Sequence, residues 1–246
     1  MQLSVDEYDL VLQNDINTNG HTQWFFFKVS NTRKGHKVRF NIINLAKPDS
    51  LYNQGMRVLS YSHNLAKEDK LGWHRVGTEI SYYKNHIRNQ VNGNRFPDKK
   101  YYTLTFTHTF DSTDDSVYFC HCFPYTYSDL CEDLQQIECR PNAQNYFHRT
   151  VLTRTLAGNR CDLITITSKD KDPKSDKALN KKGVFISARV HPGESNSSWV
   201  MKGIIEHLTS QTPEARVLRD HFVFKIVPML NPDGVINGNY RCSLVG

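Results

Sequence analysis

A chain of 246 residues that is 38% hydrophobic and 23% charged has the make-up of a folded globular protein, and is long enough for one large domain or two of ordinary size. Its apolar runs are too short to cross a bilayer and residues 1–12 are acidic and alternating, unlike a secretory signal. No membrane is therefore expected as a partner, and the six cysteines are expected to be reduced thiols of a cytosolic protein. The net charge of +6 is spread evenly, with 15 basic against 12 acidic residues over 1–125 and 16 against 13 over 126–246, and this lack of a basic stripe argues against nucleic acid as the main partner.

In chain order, the first half reads as all-β. Residues 8–12, 24–29 and 38–43 are short runs rich in β-branched and aromatic side chains, separated by turn formers at 17–20 and 31–35. Further strands are predicted over 73–80, 101–110 and 116–122, with turns at Asn92-Gly-Asn94 and at 111–115. Within 101–110, Tyr102, Leu104, Phe106 and His108 share one face and threonines the other, the pattern of a strand buried on one side. Trp24 and Phe25 to Phe27 are read as sandwich core. Such spacing predicts an antiparallel β-sandwich over residues 1–125.

The pattern then changes. Residues 128–137 carry apolar side chains at helical spacing, with Ser128 or Asp129 placed to cap the first turn. Strands are predicted over 150–156 and 162–167 around the turn Ala157-Gly-Asn159, followed by a polar loop over 169–182. Residues 183–190 form an expected buried strand, 198–208 a helix and 221–227 another buried strand. Strand–helix–strand order with nearly continuous apolar strands predicts an α/β domain over 126–246, with a mixed, largely parallel sheet.

Two stretches carry chemistry. In Ala188-Arg-Val-His-Pro-Gly-Glu-Ser-Asn196, a strand ends, a Pro-Gly turn follows and a helix begins. His191 and Glu194 thus project from the carboxyl end of a strand, where open α/β sheets bind ligands. The H-x-x-E spacing lets an imidazole nitrogen and a carboxylate reach one ion, and both are ligand types that zinc accepts. The competing reading has Glu194 capping the helix and His191 bonded to backbone. The second stretch, Pro228-Met-Leu-Asn-Pro-Asp-Gly-Val-Ile-Asn-Gly-Asn-Tyr-Arg241, follows the next buried strand, and its Asn231-Pro-Asp-Gly234 is a type I turn sequence. Such a loop could present Arg241 to a developing oxyanion or a substrate carboxylate, or could be an ordinary surface loop. Neither a phosphate-cradling G-x-x-x-x-G-K-[ST] nor a strand-borne G-x-G-x-x-G occurs, so no nucleotide is expected.

His-Pro-Gly-Glu after an apolar strand, then Asn-Pro-Asp-Gly one βα unit later, resembles the zinc carboxypeptidases of the carboxypeptidase A clan. With Phe123-Pro-Tyr-Thr-Tyr-Ser128, Ala188 to Trp199 and Asn231 to Leu244, the chain is most similar to the cytosolic carboxypeptidases, the Nna-type or ATP/GTP-binding-protein-like group. Residues 39–44 and Tyr82-Tyr-Lys-Asn85 look most like its type-1 branch, and the resemblance spans nearly the whole chain. It implies a β-sandwich followed by the first part of an α/β zinc-carboxypeptidase domain. It also implies a metallocarboxypeptidase that uses zinc (Zn2+) to remove glutamate from acidic C-termini or polyglutamate side chains, tubulin above all, in the cytosol and in association with microtubules. His191 and Glu194 would be zinc ligands, and Arg241 a catalytic and substrate-binding arginine. The family's third ligand, a histidine, and its general base, a glutamate, would fall beyond Gly246, so the chain is expected to be an incomplete, inactive fragment. Two alternatives stay open: a catalytically dead module that binds tubulin or another acidic protein, and a related deacylase of N-acyl amino acids.

Overall fold

The computed structural model describes residues 2–4, 6–88, 100–169, 175 and 180–245. The expected turn at Asn92-Gly-Asn94 and most of the loop over 169–182 lie outside the described residues. The chain divides into two compact units, Met1–Pro124 and Tyr125–Gly246.

In the first unit, β1 (Gln2–Ser4), β2 (Glu7–Leu10), β4 (Lys37–Leu45), β7 (Thr78–Arg88) and β8 (Lys100–Thr109) form a sheet in the order β1-β2-β4-β8-β7. The second sheet, in the order β3-β9-β5-β6, contains β3 (Phe26–Val29), β5 (Val58–Ser62), β6 (His74–Val76) and β9 (Val117–Cys120). The described pairings are antiparallel except β2 with β4. Aromatic side chains from both sheets fill the space between them: Phe40 and Phe106 from the first meet Phe27 and Phe119 from the second, at centroid separations of 5.5–5.7 Å. Leu104, Phe106, Phe119 and Ile42 are fully buried there.

Three local expectations are corrected. Residues 73–80 are two strands in different sheets, because Gly77 takes φ +95°, a left-handed conformation that L side chains rarely adopt, and carries the chain from one sheet to the other. Phe26 is 49% exposed while Phe25 is buried, as alternation along a strand requires, so the aromatic run is only partly core. The threonine face of β8 is closed to water except at Thr109, at the strand's end. Thr103, Thr105 and Thr107 are all buried, and they bond Asn85, Asn41 and Glu79 from the flanking strands. Strand β5 and the short helix α1 (His63–Glu68) were not predicted.

The second unit opens with helix α2 (Tyr127–Glu138). Its cap is Thr126, ahead of the expected Ser128 or Asp129, in a capping box with Asp129. Hairpin β10 (Phe147–Arg154) and β11 (Arg160–Ile166) follows, then β12 (Lys182–Ser187), α3 (Ser195–Thr209), α4 (Pro213–His221), β13 (Phe222–Val227) and α5 (Pro232–Ile236). The sheet order is β10-β11-β13-β12. It is a mixed sheet, but β12 with β13 is the parallel pair among the described strands, and the other two pairings are antiparallel. Ile164, Ile166 and Ile226 are fully buried and pack with Leu134, Ile137, Met201 and Ile205 of the covering helices. Strand β12 lies at the end of that order, and Phe185 on it is 68% exposed, against the expectation of a buried strand. Helix α4 was missed, although Thr212 followed by Pro213 is a cap and first-turn signature. No helix of the described residues is long and apolar enough to cross a membrane.

Candidate metal centre

Strands β12 and β13 run in parallel register, Ser187 opposite Val227, so their carboxyl ends release two loops side by side. The ladder continues past both strand ends. Ala188 N–H donates to the Val227 carbonyl (3.1 Å), Leu230 N–H to Ala188 (2.9 Å) and Asn231 N–H to Arg189 (3.2 Å). The loop bearing His191 and Glu194 is thereby held against the loop bearing Asn231 to Arg241.

The two loops interlock. Gly193 N–H donates to the Tyr240 carbonyl at 2.8 Å, and a Cβ at residue 193 would sit 2.7 Å from the Tyr240 ring. A Cβ at Gly234 would lie 2.3 Å from Pro192 Cγ and 2.6 Å from the Cys242 carbonyl oxygen. Asn231 to Gly234 is not a free-standing turn but the entry to α5. Asn231 Oδ1 accepts from Gly234 N–H (3.0 Å), while its Nδ2 donates to the Val190 carbonyl (3.2 Å). Asp233 is buried and points elsewhere, accepting from Thr155 Oγ1 (2.6 Å), Asn159 Nδ2 (2.8 Å) and Ala157 N–H (3.2 Å) at the tip of the β10–β11 hairpin. Burial alone would raise its pKa, yet those three donors outweigh it and hold the carboxyl below its ordinary value.

Within this frame His191 Nδ1 stands 3.0 Å from Glu194 Oε1. Glu194 occupies the cap position of α3 but makes no side-chain capping bond, so the capping reading does not hold and the carboxylate faces the imidazole instead. The side chains are 31% and 50% exposed, open to solutes. Two ligand atoms on one tetrahedral zinc, each about 2.0–2.2 Å from it, stand about 3.4 Å apart. The observed pair is close to that spacing, and the nitrogen–oxygen donor set suits the ion. Next to Glu194 in sequence, the hydroxyl of Ser195, a residue only 1% exposed, has no hydrogen-bond partner among the described residues. These residues fit part of a zinc site. Among the described residues, no group of three or more His, Cys, Asp or Glu side chains could hold a metal. His207 falls in the last turn of α3, and His221 ends α4 rather than opening a strand. Cys120, His121 and Cys122 form no such group either; His121 Nδ1 pairs with the Tyr52 hydroxyl at 3.1 Å, and none of the six cysteines is in a disulfide.

Arg241 is exposed, and its backbone is fixed on both sides, by Tyr240 against Gly193 and by the Cys242 carbonyl, which accepts from Asn239 Nδ2 at 3.0 Å. Sequence spacing thus finds the pair and the neighbouring loop. It misses Arg189, whose buried guanidinium bonds the turn itself, and the tie made by Asp233.

The cytosolic carboxypeptidase N-terminal domain profile matches residues 1–121 and the zinc carboxypeptidase profile residues 135–244. Cytosolic carboxypeptidase 1 of Homo sapiens is 51% identical over 251 aligned residues, covering all of this chain and 20% of that protein. The chain belongs to the cytosolic carboxypeptidase family. Cytosolic carboxypeptidase 2 of Homo sapiens is 50% identical over 98% of the chain and 26% of its own length, so these identities do not separate the type-1 from the type-2 branch. The chain spans about a fifth to a quarter of the length of these cytosolic carboxypeptidases. Among solved structures, the metallo-carboxypeptidase of Burkholderia cenocepacia superposes with a TM-score of 0.71 at 26% identity, over 98% of this chain and 55% of that one.

Proposed function

We propose that this protein is a zinc metallocarboxypeptidase that removes glutamate from acidic C-termini or polyglutamate side chains, with tubulin among its substrates and the cytosol, along microtubules, as its location. Membership of the cytosolic carboxypeptidase family supports the reaction class. The observation that carries the reading is the His191–Glu194 pair, at ligand spacing on the carboxyl side of two parallel strands. Glutamate as the leaving residue, and tubulin as a partner, follow from the family resemblance.

His191 Nδ1 and a Glu194 oxygen would hold the ion, and zinc bound there supplies a Lewis acid and a water of lowered pKa. Arg241, on the loop locked to the ligand turn, would offer a guanidinium to the carbonyl oxygen as negative charge develops on it during amide hydrolysis. Its permanent charge suits the carboxylates of a glutamate-rich substrate equally well. A catalytic zinc site needs a third protein ligand, and hydrolysis needs a base to take a proton from the attacking water. This reading assigns both to residues outside the described ones.

The test is zinc content of the full-length protein, together with glutamate release from a peptide ending in several glutamates. The parent should hold one zinc and release glutamate, and His191→Ala should lose both. Arg241→Ala should keep the zinc and lose about 100-fold or more in kcat, the range for removing a charge-stabilising donor. Equal zinc content and turnover in parent and His191→Ala would end this reading.

A further inference from the structure

Arg189 stands two residues before His191 and combines features that a surface loop does not need. Its backbone takes φ +55°, a left-handed conformation that glycine adopts at far less cost. The residue is 3% exposed. The guanidinium reaches three separate pieces of the unit: Nε donates to the Pro192 carbonyl at 2.8 Å, and Nη1 donates to Ser198 Oγ at 2.8 Å and to the Tyr125 carbonyl at 3.1 Å. The main chain of the same residue is pinned as well. Its N–H donates to Ser197 Oγ (3.2 Å), and its carbonyl accepts from Asn231 N–H (3.2 Å).

Those contacts bracket the candidate ligands. Pro192 directly follows His191, and Ser197 and Ser198 lie in the first turn of the helix that Glu194 begins. A planar fork bonded at once to the turn and to the helix fixes the distance between the two residues that flank it, as a flexible ammonium could not. We propose that Arg189 is a positioning residue of the metal centre, holding His191 and Glu194 at the spacing zinc requires without touching ion or substrate. The proposal rests on the reading of that pair as zinc ligands. Groups that orient metal ligands from behind typically change metal affinity 10- to 100-fold when removed.

The experiment is zinc affinity of the full-length protein, by competition with a chromophoric chelator, beside the visible spectrum of the cobalt-substituted protein, which reports ligand geometry. Arg189→Gly suits the positive φ and removes the whole side chain, stem and fork together. It should weaken zinc about 10- to 100-fold and shift the cobalt bands, and Arg189→Lys should recover part of the loss. Ser198→Ala, which deletes one acceptor and leaves the arginine, should weaken zinc several-fold. Ile226→Val, a core change in the same unit, should lower Tm and leave zinc affinity and the cobalt bands as in the parent. Zinc affinity that follows Tm alone across these variants, or that stays at the parent value in both Arg189→Gly and Ser198→Ala, overturns the proposal. Should Arg189→Gly fail to fold, Arg189→Lys and Ser198→Ala decide it by the same criterion. Zinc lost in His191→Ala but kept in the Arg189 and Ser198 variants overturns the positioning role alone. Zinc held as tightly by His191→Ala as by the parent overturns the metal reading and this role with it.

Discussion

Gly193 has no room for a side chain. A Cβ there would meet the Tyr240 ring at 2.7 Å and the Tyr240 carbonyl oxygen at 2.8 Å, and a backbone oxygen cannot step aside as the end of a flexible side chain can. Gly193→Ala should therefore destabilise the second unit by about 1–3 kcal/mol and weaken zinc, because the only relief is to part the two loops. Denaturant midpoints and zinc titration of the full-length variant would check both. The contrast among single residues shows what sequence could give at this scale. That His191 and Glu194 meet was legible, because a strand end, a Pro-Gly bend and a three-residue spacing bring the two side chains together. Arg189 was not legible, since a positive φ in a non-glycine residue leaves no mark on the sequence. The bare cap position of Glu194 could not be read either, because capping and metal binding ask for the same carboxylate at the same place.

Strand β8 shows how an element departs from its pattern. Its apolar face was read correctly, with Leu104 and Phe106 fully buried and His108 8% exposed. The threonine face escaped because its cover comes from polar side chains on β4 and β7, and alternation reports hydrophobicity, not coverage. The single expected strand over 73–80 failed for a related reason, since β propensity continues across Gly77 while the pairing partner changes. His108 gives β8 a testable pH response. It packs edge-on against Phe110 and Phe119, and burial pushes its pKa down to about 4 from 6.5, with Asp111 opposing and His74 assisting. Between those values the unfolded chain binds a proton that the folded strand refuses. Stability is thus complete above about pH 6.5 and is lost as pH falls toward 4. By pH 5 the loss from this residue should be on the order of 1–2 kcal/mol. Denaturant unfolding at pH 7.5 and 5 should show a smaller difference in His108→Phe than in the parent. His121, also pushed down to about 4 by burial and by Arg75, should keep part of the slope in both.

Across the whole molecule, two hydrophobic cores lie in separate stretches of chain. One gathers Phe25 to Phe119 around the sandwich, the other Tyr125 to Met229 around the mixed sheet. Because the first core closes within Met1–Pro124, that segment alone should unfold cooperatively with a native-like near-ultraviolet spectrum, and a broad, non-cooperative transition would contradict it. The change of pattern near residue 125, from period-two runs to alternating helices and strands, was visible in the sequence. The direction of the strand pairings was not, since a hairpin strand and a crossover strand can carry equally apolar runs. One tie in the second unit reaches beyond stability. Hairpin tips are ordinarily where proteins absorb insertions and deletions without harm. The tip at Thr155 to Asn159 has lost that latitude, because three of its donors converge on Asp233 at the root of the loop that ends in Arg241. Adding or removing one residue there would unseat that carboxylate, so this outlying turn must change length in step with the loop that carries Arg241 or not at all.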